Sequence, residues 1–193
     1  VCVNGMFLNY ASYFKAEKQK LYSIVDSILY EIMPDGGFNC RTTRSGARHS
    51  SLHTTLSVLE GFLEFQKAGY TYRKNDLRKA RKSSEEFILI HQLFLSDKTG
   101  KIIRKEFLNI PYPSRWKYDI LRALDYFRYA GTEYDKRMEA AIDVILKKRK
   151  ADSRWNLQAA HPGQVHFKME QAGKPSRWNT LRALRVLKHY NLT

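Results

Sequence analysis

The tetrapeptide P-S-R-W occurs twice in this chain, at residues 113–116 and at residues 175–178. Each copy is followed closely by the tetrapeptide L-R-A-L, at residues 121–124 and at residues 181–184. Unrelated segments rarely share two such tetrapeptides in the same order, so we infer an internal repeat. A repeat of this kind predicts one supersecondary unit that is stacked on copies of itself.

The spacing of apolar residues predicts two alternating kinds of helix. The inner kind is apolar almost all round, which is typical of a helix buried on more than one side. The outer kind has one charged face and is expected to have one side in water. Inner helices are predicted at residues 50–66, 116–129 and 178–190. Outer helices are predicted at residues 17–33, 76–95 and 134–149, after a partial helix at residues 6–14.

The order of outer helix, loop and inner helix thus recurs three times. Helical hairpins repeated in this way stack into a solenoid or a closed double ring. The sequence therefore predicts an all-α fold in a single domain over residues 1–193. Because residues 5–10 already have a helical pattern, we expect this domain to be a C-terminal portion of a longer chain.

The composition excludes several classes of protein. Hydrophobic residues make up 43% of the 193 residues, which is typical of a globular protein and not of a disordered tail. No apolar run approaches the roughly 20 residues that a membrane-spanning helix needs. Two cysteines provide no disulfide framework and indicate a reducing, cytoplasmic location. The net charge of +15 is spread along the chain, which makes nucleic acid an unlikely partner.

Three segments carry a resemblance to a known superfamily. Residues 31–38 (E-I-M-P-D-G-G-F) and 151–155 (A-D-S-R-W) resemble degenerate copies of the Q-x(2–5)-G-x-W repeat of squalene cyclases and protein prenyltransferases. Residues 51–61 are similar to the helix of prenyltransferase β subunits that supplies a zinc-binding histidine. The resemblance implies part of an α/α toroid, a terpenoid cyclase-like fold of inner and outer helices, similar to bacterial prenyltransferase-like proteins.

If the inner helices run parallel, as in that fold, their N-termini share one end of the structure. Helix N-termini and arginines together favour anions, and aromatic side chains beside them provide apolar walls. We therefore expect a cavity that binds an apolar ligand with an anionic head, such as an isoprenoid diphosphate. The expected ligand-binding residues are Arg44, Arg48, His49, Arg115, Trp116, Tyr118, Arg177 and Trp178.

A structural interpretation of the same residues stays open. Each Arg-Trp pair can serve packing, with the guanidinium stacked on the indole, and its recurrence in successive repeats favours this interpretation. Glu170 is then a structural partner for Arg177.

The resemblance also implies a zinc site, in which His53 matches the ligand histidine of protein prenyltransferases. Cys40 and Asp35 are the other candidate ligands, because catalytic zinc takes three protein ligands of these types. A histidine pair at a helix start, His49 and His53, is equally consistent with capping or packing.

The D-x-D-D cluster that initiates cationic cyclisation is absent from the sequence, and no catalytic residue is assigned. The expected function is therefore that of a terpenoid cyclase or prenyltransferase-like protein that binds an apolar ligand, and any enzyme activity would be that of a transferase. The alternative is a non-catalytic helical-repeat scaffold that binds a partner protein.

Overall fold

The apolar periodicity of the sequence folds into helices along most of the chain. A computed structural model describes residues 1–159 and 163–192, without the side chains of residues 43 and 44. The helices are α1 (Cys2–Tyr13), α2 (Lys18–Tyr30), α3 (Thr42–Ser45), α4 (Leu52–Lys67), α5 (Lys74–Ile90), α6 (Ile120–Ala130), α7 (Glu139–Lys147) and α8 (Arg177–His189). The prediction of a mainly helical protein is confirmed. Within the described ranges, none of these helices has the length and apolar content that crossing a bilayer requires.

Two kinds of short element interrupt the helical pattern. The strands β1 (Trp155–Asn156) and β2 (Pro175–Ser176) pair antiparallel, with Trp155 opposite Ser176. Two 3₁₀ helices, Lys105–Leu108 and Lys136–Met138, precede α6 and α7 respectively. The second PSRW copy therefore spans β2 and the start of α8.

Several helix boundaries differ from the sequence predictions for identifiable reasons. Helix α6 begins at Ile120 and not at 116, because Asp119 forms the N-cap and Arg115 has a left-handed φ of 52°. The predicted outer helix at 76–95 ends at Ile90, because Gln92 and Leu93 also have positive φ angles of 42° and 67°. The two PSRW copies thus differ: the first lies in a loop and the second begins a helix.

The backbone divides into two compact units, residues 1–90 and residues 91–193, which we describe separately. The prediction that both belong to one domain stays a prediction. In the first unit, α1 packs on α4 at very short range. A Cβ atom at Gly61 would lie 2.4 Å from the carbonyl oxygen of Gly5, so only glycine permits this approach.

The two helices run parallel, because successive residues of α1 contact successive residues of α4. Gly5 lies against Ser57, and the Asn9 side-chain amide donates to the Glu60 carbonyl over 3.0 Å. Around this helix pair, α2 and α5 complete a core whose members are fully or almost fully buried. They include Leu8, Val25, Ile28, Phe38, Phe62, Phe65 and Leu77.

In the second unit, the two L-R-A-L segments have different environments. Leu121 and Leu124 of α6 are completely buried, as expected of an inner helix. Leu181 and Leu184 of α8 are 47% and 36% exposed, and α8 buries Ala183, Val186 and Leu187 instead. The prediction that the third inner helix is buried on several sides is therefore wrong for this face of α8.

Candidate functional site

The two segments that resemble the Q-x(2–5)-G-x-W repeat fold into the same turn. The Met33 amide donates to the Gly37 carbonyl over 3.0 Å, and the Lys150 amide donates to the Arg154 carbonyl over 2.9 Å. The fourth residue of each turn, Gly36 or Ser153, has a positive φ, of 89° and 62° respectively. Two such turns fix the direction in which the chain leaves each preceding helix.

The aromatic residue after each turn is held by a threonine in the first turn of a later helix. The Phe38 amide donates to Thr55 Oγ1 over 3.0 Å, and the Trp155 amide donates to Thr180 Oγ1 over 3.1 Å. Both threonines are the fourth residue of their helices, α4 and α8. Both rings are fully buried, so these aromatics anchor the repeat and do not face a ligand.

The first turns of α6 and α8 are occupied by carboxylates of the chain itself. Asp119 Oδ1 accepts the amide hydrogen of Arg122 over 2.8 Å. Glu170 Oε1 accepts the amide hydrogen of Arg177 over 2.8 Å, and its second oxygen accepts from the Ser176 hydroxyl. These contacts satisfy the unpaired helix N–H groups and their partial positive charge. Consequently, the expected anion site at these two helix N-termini is already filled by the protein.

The ligand-binding residues that were predicted just before α4 lie in a polar segment. The Asp35 carboxylate accepts the Ser50 amide hydrogen over 2.8 Å. Arg48 and His49 are exposed, and the His49 carbonyl accepts a hydrogen bond from the Asn39 side chain over 2.7 Å. The side chain of Arg44 lies outside what the structure describes.

Around the first PSRW copy, partly buried polar contacts fix the loop. The Ser114 hydroxyl donates to Asp119 over 3.1 Å, and the Arg122 guanidinium donates to the Lys117 carbonyl over 2.8 Å. Burial raises the pKa of Asp119, although the charge of Arg182 acts in the opposite direction. The neutral form of this carboxyl group is thus favoured relative to an exposed aspartate.

Tyr118 belongs to the core and not to a ligand wall, contrary to the prediction. Its side chain is 2% exposed, and its hydroxyl donates to the Leu93 carbonyl over 2.6 Å. Burial raises the pKa of this phenol well above its ordinary value. Trp116, by contrast, is half-exposed, with the Lys117 ammonium 5.9 Å from its ring centroid.

Helix α8 holds the loop that contains the first PSRW copy. The Asn179 side-chain amide donates to the Ile110 carbonyl over 2.7 Å. The Trp178 indole stacks on the ring of Tyr112, with centroids 5.2 Å apart and an interplanar angle of 12°. The second PSRW copy therefore positions the loop that carries the first.

A cavity of about 580 Å³ lies between this loop and residues 163–172. Its volume is in the range of small-molecule sites. Tyr112, Leu157, Val165, Phe167 and Met169 provide its apolar walls. Phe167 is 72% exposed, and with the exposed Val165 and Met169 it leaves an apolar strip of the cavity open to solvent.

Two cations border the same cavity. Arg115 and Lys168 line it, and neither has a carboxylate partner within the described residues. Glu170, the acidic residue of the lining, is engaged by the first turn of α8. The cavity thus combines apolar walls with uncompensated positive charge.

The three candidate metal ligands do not form a metal site. Asp35 is engaged by Ser50, and the Cys40 amide donates to Thr54 Oγ1 over 3.3 Å. His53 lies in the first turn of α4 and is half-buried. In residues 1–159 and 163–192, no group of three or more His, Cys, Asp or Glu side chains has an arrangement that would hold a metal ion. The residues present therefore do not fit a catalytic zinc.

Of the predicted ligand residues, the structure brings Arg115 and the Trp178–Tyr112 stack to one cavity. Sequence reasoning missed the opposite wall, residues 163–172. The signal available there was the alternation of apolar and polar residues in Q-V-H-F-K-M-E-Q, residues 164–171. That alternation is typical of a strand, whereas the segment forms irregular structure in which Val165, Phe167 and Met169 stay exposed.

Comparisons with protein-family models, with curated proteins and with solved structures found no match for this chain. The resemblance to terpenoid cyclases and prenyltransferases therefore depends on the sequence motifs alone.

Proposed function

We propose that residues 91–193 bind an apolar molecule with an anionic head group, such as an isoprenoid diphosphate. The observation that supports this proposal most strongly is the cavity, in which exposed apolar side chains lie beside Arg115 and Lys168. Covering Phe167 and Met169 with a hydrocarbon tail removes apolar surface from water and is favourable. A guanidinium fork matches two oxygens of a phosphate group, and Lys168 supplies a second charge.

The left-handed backbone of Arg115 contributes to this arrangement. A non-glycine residue with a φ of 52° is uncommon, and its conformation sets the direction of the side chain at the cavity. The stacked pair of Trp178 and Tyr112 fixes the loop that carries Arg115, so the position of this arginine is preorganised. Preorganisation lowers the entropic cost of binding.

We further propose that the helices belong to an α/α toroid of the terpenoid cyclase and prenyltransferase kind. Support comes from the parallel pair of α1 and α4 and from the recurrence of one turn with one threonine contact at Phe38 and Trp155. The proposed role of this chain is ligand binding. No proton donor for cyclisation is assigned, because the D-x-D-D cluster is absent from the sequence.

Tryptophan fluorescence tests the binding proposal, since Trp178 contacts a residue of the cavity wall. Farnesyl diphosphate, farnesol and inorganic diphosphate are titrated separately into the full chain. We expect farnesyl diphosphate to bind most tightly and Arg115→Ala to weaken it by about tenfold or more, the effect of losing a charged hydrogen bond. Arg104→Ala, an exposed arginine of the same unit outside the cavity lining, is the matched control.

Equal affinity of the wild-type protein, Arg115→Ala and Arg104→Ala would contradict the assignment of Arg115. Binding of inorganic diphosphate as tight as that of farnesyl diphosphate would contradict the apolar half of the proposal.

One observation favours a second candidate, a scaffold that binds a partner protein. Helix α1 and its C-cap residue expose an apolar stripe of Val3, Phe7, Tyr10 and Phe14, and Phe14 is 79% exposed. Side chains spaced by three and four residues form one face of a helix and suit helix-in-groove recognition. A photo-reactive amino acid at Tyr10 that cross-links a polypeptide in cells, together with no farnesyl diphosphate binding in vitro, would favour the scaffold.

A further inference from the structure

The two cysteines of the chain are brought together by the packing of α1 on α4. Gly5 lies against Ser57, Asn9 donates to Glu60, and Lys15 donates to the Ala68 carbonyl over 2.7 Å. This register continues to the first turn of α1, where it places Cys2 opposite Thr54.

Cys40 reaches the same place from another element. Its amide donates to Thr54 Oγ1 over 3.3 Å. Burial raises the pKa of the Cys2 thiol, and the charge of the nearby Cys40 adds to this shift. Two independent observations, the helix register and the hydrogen bond to Thr54, therefore place both cysteines beside Thr54.

The surroundings of the pair are suited to thiol chemistry. Both cysteines are free and only partly buried, so a small oxidant has access to them. The sequence contains just these two cysteines, so each can form an intramolecular disulfide only with the other.

We propose that Cys2 and Cys40 are an oxidation site that forms a reversible intramolecular disulfide. The oxidant is a low-molecular-weight disulfide such as oxidised glutathione. The Cys40 thiolate attacks one of its sulfur atoms and releases the first glutathione thiolate, which leaves a mixed disulfide on Cys40. Cys2, after losing its proton, attacks the Cys40 sulfur and expels the second glutathione. Two protein thiols are oxidised, one glutathione disulfide is reduced, and the two protons end on the two released thiols.

The bond would close a covalent loop around α1 and α2. It would tie the first turn of α1 to the loop that precedes α3, so that α1 could not detach from the unit without reduction. Such a bond mainly restricts the unfolded chain, and oxidation therefore raises the thermal stability of residues 1–90.

Intact-mass spectrometry of the full chain, equilibrated in buffers of reduced and oxidised glutathione, tests the proposal. We expect loss of two hydrogens per chain, one cross-linked peptide that joins Cys2 to Cys40, and a rise in Tm of about 4–16 °C. Dithiothreitol should reverse all three changes. Cys2→Ser should retain one glutathione on Cys40, because the second step is then blocked.

Three results would overturn the proposal. They are stable glutathione adducts on both cysteines of the wild-type protein, disulfide-linked dimers in place of the internal bond, and no modification in the most oxidising buffer. None of these outcomes depends on the cavity in residues 91–193, so this test is separate from that of ligand binding.

Discussion

The carboxylate of Asp26 links α2 to the turn before α5 through two side chains. Arg73 Nη1 donates to Asp26 Oδ1 over 2.9 Å, and the Tyr72 hydroxyl donates to Oδ2 over 2.9 Å. The hydrogen bond from Arg73 is the main cause that lowers the pKa of Asp26, and the bond from Tyr72 adds to it. A carboxyl with a lowered folded-state pKa stabilises the fold above its ordinary pKa, and this contribution is lost as the pH falls.

The resulting prediction concerns acid stability. Between about pH 5 and pH 2, the wild-type protein should lose more free energy of unfolding than Asp26→Asn, whose side chain does not titrate. Urea unfolding at several pH values measures both proteins. Parallel pH profiles would mean that the contact with Arg73 has no consequence for stability. Asp152→Asn, an exposed aspartate of the other unit, is the control.

At the scale of elements, replacing a glycine in the contact between α1 and α4 with alanine should change the stability in the opposite direction to that usual in helices. Replacing a helical glycine with alanine ordinarily stabilises a helix by about 1 kcal/mol. At Gly61 the new Cβ atom would meet the Gly5 carbonyl oxygen at 2.4 Å, which is backbone and cannot turn away.

We therefore expect Gly61→Ala to lower the free energy of unfolding by about 1–3 kcal/mol, the typical cost of overpacking. Val3→Ala, on the exposed face of α1, should change it little. Chemical unfolding followed by circular dichroism measures both variants. A stabilised Gly61→Ala protein would show that the two helices lie further apart than described.

Two leucines of the predicted inner helices should respond differently to truncation. Leu56 in α4 is completely buried, so Leu56→Ala leaves a cavity and should cost about 2–5 kcal/mol. Leu184 in α8 is 36% exposed, and Leu184→Ala should cost about 1 kcal/mol or less. Equal losses in urea unfolding would indicate that another part of the protein covers this face of α8.

The elements also show what the sequence could predict and where it failed. Periodicity located the long helices, because apolar spacing directly records which face is buried. It misplaced the start of α6, because the apolar pattern extends further upstream than the helix does. The Asp119 N-cap and the left-handed backbone of Arg115 make the helix begin at Ile120. Equal environments for the two L-R-A-L segments were also wrongly expected, since burial depends on neighbours that each copy does not share.

At the scale of the whole molecule, the repeated tetrapeptide had a more specific role than the sequence indicated. Arg115 and Trp178 were expected at one ligand site, and the first lines the cavity while the second stacks on its wall. The wall at residues 163–172 could not be predicted, because its contact with residues 112–115 joins segments about 50 positions apart in irregular structure, without the periodicity that prediction uses. Helix N-termini were expected to bind the ligand's anion, yet Asp119 and Glu170 occupy them.

Hydrogen exchange of the full chain with and without farnesyl diphosphate tests the central claim most directly, because it locates the bound molecule along the sequence. We predict slower exchange in the peptides that contain residues 112–118 and 163–172, with unchanged exchange in residues 1–90. Arg115→Ala should reduce this protection, and Arg104→Ala should leave it intact. Unchanged exchange in both cavity segments at a saturating ligand concentration would contradict the binding site proposed here.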